Sequence, residues 1–271
     1  AKRESVTSLK EQQNGNIYKP VISPEIMGKT IQKPTLNEVV AVKTIQICGS
    51  DNDIILFNPQ GVGPMNFAGL RQADYGLGFR MPPMSQLVTL LHASLGNQDC
   101  ETAKKVISTL RNPWLIGNTG ILYVPKGMFV QDNPVLKNGR ISMNQKTLEK
   151  RLGSYQERGV VFSDDRAIRF TPYIFKIESQ KASMLSENPA VIALTGSEKN
   201  AGRLARASDL YRVNPCLFAL NKTNSPKTRV AGFQSSGEFD EGLNIYASLR
   251  EDGDNRYSFG VWDGETEVYS F

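Results

Sequence analysis

A chain of 271 residues, 39% of them hydrophobic, is long enough to bury a substantial core in one large domain or two small ones. Its net charge of +5 is spread along the sequence among interleaved acids, the pattern of a solvated surface, and gives no case for a nucleic-acid partner. Three distant cysteines, Cys48, Cys100 and Cys216, exclude a disulfide framework and a CxxC metal knuckle; reduced, buried thiols and a cytoplasmic setting are the expectation.

Residues 1–38 read as an extended arm in which Lys2, Arg3, Lys10, Lys19, Lys29 and Lys33 stand among Gln, Asn, Pro and Ser, with no interleaved aromatic platform. The arm has no apolar signal core, and no run of about 18 apolar residues occurs anywhere, so no membrane insertion is expected. Residues 39–271 read as one domain. It opens with two apolar runs, Val39 to Gln46 and Asp53 to Asn58, around the turn Gly49-Ser50-Asp51-Asn52, which predicts a hairpin. Gly61-Val62-Gly63-Pro64 is expected to break the chain. A helical pattern follows from Asn66 to about Tyr75. Met84, Leu87, Val88, Leu91 and Leu95 predict a helix entered through Pro82-Pro83, and Ala103, Val106, Ile107 and Leu110 predict another, capped by Asp99.

From Trp114 the pattern turns to strands, clearest at Gly120 to Val124, then to a polar loop with Asn133-Pro134 and Asn138-Gly139, and to a short helix near Gln145 to Leu152. Val160 to Phe162 and Ile168 to Ile177 are strand candidates. One helix starts near Pro189 and the next is capped by Ser197. The remainder is β-rich: Cys216 to Leu220, Arg229 to Phe233, Leu243 to Leu249, Ser258 to Trp262 and Glu267 to Phe271. Helices first and strands last make an α+β arrangement rather than alternating βαβ units.

Residues for catalysis are scarce. His92 is the only histidine and sits in an amphipathic helix, so Ser/His, Cys/His and ordinary zinc arrangements have little to build on. Gly61-Val62-Gly63 lacks the downstream glycine of a dinucleotide fingerprint, and Gly28-Lys29-Thr30 lacks the upstream glycine of a phosphate loop. Asp164-Asp165 and Asp252 with Asp254 offer oxygens for a hard cation, yet solvated turns account for both. No catalytic residue, metal or cofactor is assigned.

One segment stands out. In Leu243 to Arg250 the residues Leu243, Ile245, Ala247 and Leu249 fall on one side of a strand, and Asn244, Tyr246, Ser248 and Arg250 on the other. One face is therefore expected in the core and one open to solvent. An open face of Tyr, Asn, Ser and Arg suits recognition, because tyrosine offers large area at low entropy cost and the others adaptable hydrogen bonds. Asp252, Asp254, Asn255, Arg256 and Tyr257 continue this chemistry after the strand, and Ser235, Ser236, Phe239 and Asp240 precede it. These residues form the expected ligand-binding set. A plain solvated sheet edge is the competing description.

A resemblance favours recognition. Phe79-Arg80-Met81-Pro82 resembles the "R-[LM]-P-T" helix entry of C-type-lectin-like and formylglycine-generating-enzyme-like domains, and Tyr257-Ser258-Phe259-Gly260-Val261 resembles their "S-F-G-V-R" terminal strand, with Trp262 where the family often has Arg. Gly232 to Tyr257 is similar to the variable region of proteins served by diversity-generating retroelements, the archaeal type in particular. The resemblance implies a C-type-lectin-like fold of the formylglycine-generating-enzyme-like subclass and a variable region at about residues 229–261. Such retroelements randomise template adenines, turning AAY codons into NNY, which never encode Glu, Gln, Lys, Trp or Met. Asn244, Tyr246, Ser248, Arg250, Asp252, Asp254, Asn255, Arg256 and Tyr257 all fall within the permitted set, whereas Glu238, Glu241 and Glu251 would be fixed. Cys216 has no near partner for formylglycine chemistry, and Trp262-Asp263 is only part of the lectin calcium motif. The implied function is display of a diversified surface to a protein or other macromolecular ligand; the alternative is a cytoplasmic enzyme on a related fold.

Overall fold

The computed structural model describes residues 44–46, 54–111, 113–235 and 241–262. The expected arm, Cys48 and the expected strand Glu267 to Phe271 lie outside them. In chain order, β1 (Thr44–Gln46) and β2 (Ile54–Met65) form the anticipated antiparallel hairpin. Next come α1 (Phe67–Gln72), β3 (Phe79–Arg80), α2 (Met84–Gly96) and α3 (Glu101–Arg111). β4 (Trp114–Val124) and β5 (Gly127–Asp132) then pair, followed by β6 (Val135–Lys137), β7 (Arg140–Ser142) and α4 (Gln145–Arg151). β8 (Leu152–Glu157), β9 (Val160–Ser163), β10 (Ile168–Pro172) and β11 (Glu178–Ser179) lead through a 3-10 turn, Ala182–Glu187, to α5 (Pro189–Thr195) and α6 (Glu198–Ser208). The rest is β12 (Cys216–Phe218), β13 (Lys227–Ser235), β14 (Leu243–Leu249) and β15 (Arg256–Trp262).

Local chemistry sets these boundaries. The Asn66 side chain accepts from Gly69 N and caps α1; Ser197 caps α6 through Asn200 N; α5 begins with Pro189 behind the Asn188 cap. β10 stops at Pro172, which brings no N–H to a ladder, so the expected strand to Ile177 is cut short. The expected polar loop contains a small hairpin, β6 and β7, whose Asn138 and Gly139 both have positive φ, the requirement of a tight hairpin turn. Cys100, rather than Asp99, precedes α3, its carbonyl accepting from Lys104 N at 2.9 Å. Cys100 is accordingly exposed and Cys216 half-buried, which corrects the expectation of buried thiols.

The break expected at Gly61-Val62-Gly63-Pro64 does not occur. β2 runs through it, pairing Gly61 with Phe259 and Val62 with Ser258. Glycine is required for the close approach: a Cβ on Gly63, whose φ is +139°, would lie 2.3 Å from the Arg256 carbonyl.

The sheet is ordered β11-β12-β14-β13-β4-β5-β10-β9-β8, with β15 joining β4 to β2 and β3. Neighbours are antiparallel except β12 with β14 and β15 with β4. The helices are segregated to the sheet's faces, the α+β arrangement. On one face α2, α3, α5 and α6 pack against Leu115, Tyr123, Phe233, Leu243, Ile245, Phe259 and Val261 in the main core. The first turn of α2 is seated on β4 by hydrogen bonds from Met84 N to Thr119 Oγ1 and from Asn118 N to Pro82 O. On the other face, α1 and β7 cover Ile116 and Val230, and α4 covers Leu122 and Phe129. Among the described residues, no helix covers the part of this second face formed by β12, β14 and β13.

Candidate functional site

The alternation expected of β14 is present for most of its length. Leu243, Ile245 and Ala247 are fully buried in the main core, and Asn244 and Tyr246 point to the opposite face, beside Gln234 and Gly232 of β13. Toward the strand's end the pattern fails. A register shift between Val230 and Gly232 leaves Ala247 without a partner on β13, and the Tyr123 hydroxyl donates to its carbonyl at 2.9 Å instead. Beyond the shift Leu249 lies with the second cluster, against Ile116 and Val230, and is half-buried rather than buried in the main core.

The outward residues are less open than expected. Only Arg250 is exposed; Asn244, Tyr246 and Ser248 are half-buried. For Tyr246 the cause is aromatic cover. Phe218 of β12 stacks on its ring at 4.8 Å and 13°, and Trp114 of β4 meets it edge-on at 6.1 Å. The Tyr246 hydroxyl donates to Gln234 Oε1 at 3.3 Å, and burial pushes its pKa up. Phe218 itself remains 41% exposed, so the stack ends in an open aromatic surface. Sequence reasoning missed Phe218 and Trp114, although strand alternation in Cys216-Leu217-Phe218 puts Leu217 in the core and Phe218 on the Tyr246 side.

Three expected site residues are placed otherwise. Ser235 is fully buried: it shares the face of Ala231 and Phe233 and hydrogen-bonds with Tyr211. Arg256 is buried at the start of β15, between Met65 of β2 and Trp114 of β4. Tyr257 is half-buried against Gly63, and its alternation with Phe259 and Val261 puts it on the face opposite Tyr246. Ser236, Phe239 and Asp240 lie outside the described residues.

The connection from β14 to β15 joins this face to an exposed rim. Leu249 lies beside Val230, which pairs with Gly120, whereas Arg256 lies beside Trp114 at the start of β4. Residues 250–255 therefore cross over β13 and β4. Glu251 ties the crossing down, its carbonyl accepting from Phe67 N at 3.2 Å and its Oε2 from Ile141 N at 2.8 Å. Arg250, Asp252, Asp254 and Asn255 are exposed along it. Arg250 pairs with Asp252 at 2.6 Å, and this hydrogen bond holds the Asp252 carboxyl below its usual range.

Elsewhere no group of three His, Cys, Asp or Glu converges among the described residues. Asp165 is engaged by Ser163 Oγ, Ala167 N and Arg151. His92 is half-buried and accepts from Arg206 Nε at 3.4 Å. No helix among the described residues is long and apolar enough to cross a membrane.

No protein-family model matches the sequence, and no curated protein matches it either. Among solved structures, the chain is similar to one reported under the words "Accommodation of massive sequence variation in Nanoarchaeota by the C-type lectin fold". The identity is 15%, over 74% of this chain and 95% of that one, with a TM-score of 0.46.

Proposed function

We propose that this chain is a ligand-binding, receptor-like protein rather than an enzyme, displaying a diversified surface on a C-type-lectin-like scaffold of the formylglycine-generating-enzyme-like subclass. The reading makes it the product of a diversity-generating retroelement. Its ligand is a protein or other macromolecule, bound without a metal or cofactor.

The observation that carries the reading is the division of β14. Its inward side chains are fully buried in the main core, while Asn244 and Tyr246 share the opposite face with Gln234 and an exposed Phe218. A buried face holds the strand rigid, so substitutions on the other face alter recognition without remaking the fold. The aromatic stack supplies the kind of anchor on which interface energy concentrates, and the amide and hydroxyl groups around it form a polar rim.

The genomic test is direct. A near-copy of the codons for residues 229–261, differing only at adenines and lying beside a reverse-transcriptase gene, is the expected finding. A neighbourhood with neither removes the retroelement from the reading. The binding test is affinity capture from source-cell extract with the chain and with a Phe218→Ser/Tyr246→Ser variant. A partner held by the first and lost by the second is expected, and equal capture places the binding surface elsewhere.

A further inference from the structure

Arg256 belongs chemically to the variable set, yet it is 3% exposed. Burying a guanidinium is costly unless its charge and donors are used, and a methionine would fill similar space without that cost. Its Nη2 donates to the carbonyl of Arg250, at the opposite end of the crossing, while Nε and Nη1 are buried without a partner among the described residues. Gly253, midway, lies on the guanidinium: a Cβ there would sit 2.6 Å from Nη2 and 3.2 Å from Cζ. Burial lowers the Arg256 pKa, and the nearby Asp252, Asp254 and Glu251 carboxylates only partly oppose that shift. Glu251 meanwhile fastens the crossing to α1 and β7.

The crossing thus has two kinds of residue. Glu251, Gly253 and Arg256 face the protein, and Arg250, Asp252, Asp254 and Asn255 face solvent. We propose that Arg256 is a positioning residue that holds residues 250–255 in one conformation from beneath, so that the four solvent-facing side chains form a pre-organised recognition loop for a protein ligand. This inference rests on the receptor reading above. Its physical content is entropic: a loop ordered before binding does not lose that freedom when the ligand arrives. It also implies that codon 256 stays constant although NNY codons would permit change there.

Two yeast-displayed libraries test the proposal, with lysozyme as the probe protein. The first randomises residues 250–256; the second randomises Asn244, Tyr246, Ser248 and Arg256. Each is sorted separately for surface expression and for lysozyme binding. In the first library, Arg256 is expected to be enriched at least tenfold over Lys and Met among binders relative to the expression sort. Among second-library binders its enrichment should not exceed that of the expression sort. Free replacement of Arg256 among first-library binders overturns the proposal. If neither library yields lysozyme binders, the receptor reading fails, and hydrogen exchange on purified protein still decides the role of Arg256. Arg256→Met is expected to speed exchange at residues 250–255 at least tenfold, Arg256→Lys by less, with β13 and β14 amides unchanged. Equal exchange in wild type and Arg256→Met overturns it.

Discussion

Ile245→Ala and Asn244→Ala, neighbours on β14, separate the two faces of the strand in one comparison. Ile245 is fully buried, flanked on its own face by Leu217 of β12 and Phe233 of β13 in register. Both neighbours are held by full strand pairing, so the space left by truncation cannot collapse readily. Large-to-small changes at such sites cost about 2–5 kcal/mol, the transfer term plus the cavity. For a domain of this size each kcal/mol lowers Tm by roughly 2–4 °C, so the expected fall is about 4–20 °C. Asn244 is half-buried opposite Gln234 and its side chain forms no hydrogen bond among the described residues, so its truncation should stay within about 0.5 kcal/mol. Urea melts followed by far-UV circular dichroism read both, with the midpoint moving and the slope constant. A loss for Asn244→Ala as large as that for Ile245→Ala would refute the assignment of faces.

Further outcomes follow from other parts of the molecule. Tyr123→Phe removes the donor to the Ala247 carbonyl and leaves that buried acceptor unmet, a loss of about 1–3 kcal/mol in the same melts. His92 is held below its ordinary pKa by burial first and then by Arg206 and Arg203. The unfolded chain therefore protonates first as pH falls. The native state keeps its full stability above about pH 6.5 and loses part of it below, and His92→Gln should flatten that slope in melts taken between pH 7.5 and 5. Joint replacement of Asn244, Ser248 and Asn255 by Ala should change capture of a partner while Tm moves by only a few degrees; unfolding or aggregation would mark the face as structural. Millimolar calcium or zinc should leave Tm unchanged, since an ion bound only by the native state would raise it.

Much of the architecture was legible because it depends on local chemistry. Periodicity and caps located α2, α5, α6 and β14 within a residue or two, since a buried helix face or an Asn-Pro entry leaves a pattern in the sequence. What stayed hidden depends on distant partners. The β6-β7 hairpin has strands too short for a pattern, and the continuity of β2 through its glycines is explained only by β15 lying against them. Within the candidate site, alternation separated Ile245 from Tyr246 correctly. It failed at Leu249, where the shift opposite Val230 and Gly232 moves the side chain to the second cluster. Composition could not distinguish an exposed Arg250 from a buried Arg256, because the difference lies in whether β2 and β4 flank the backbone.

The place of β15 bears on how the molecule is made. Residues 256–262 lie between β2 and β4, strands whose residues precede them by well over a hundred positions. During synthesis the facing edges of β2 and β4 must wait for residues 256–262 to emerge, and their long-range closure is the kind of step that folds slowly. Unpaired edges are where nascent chains associate wrongly, so ribosome-bound intermediates of this protein should depend on holding factors until β15 has emerged. Substitutions that break the pairing of residues 256–262 with β2 and β4 would then appear as insoluble protein before they appear as lost recognition.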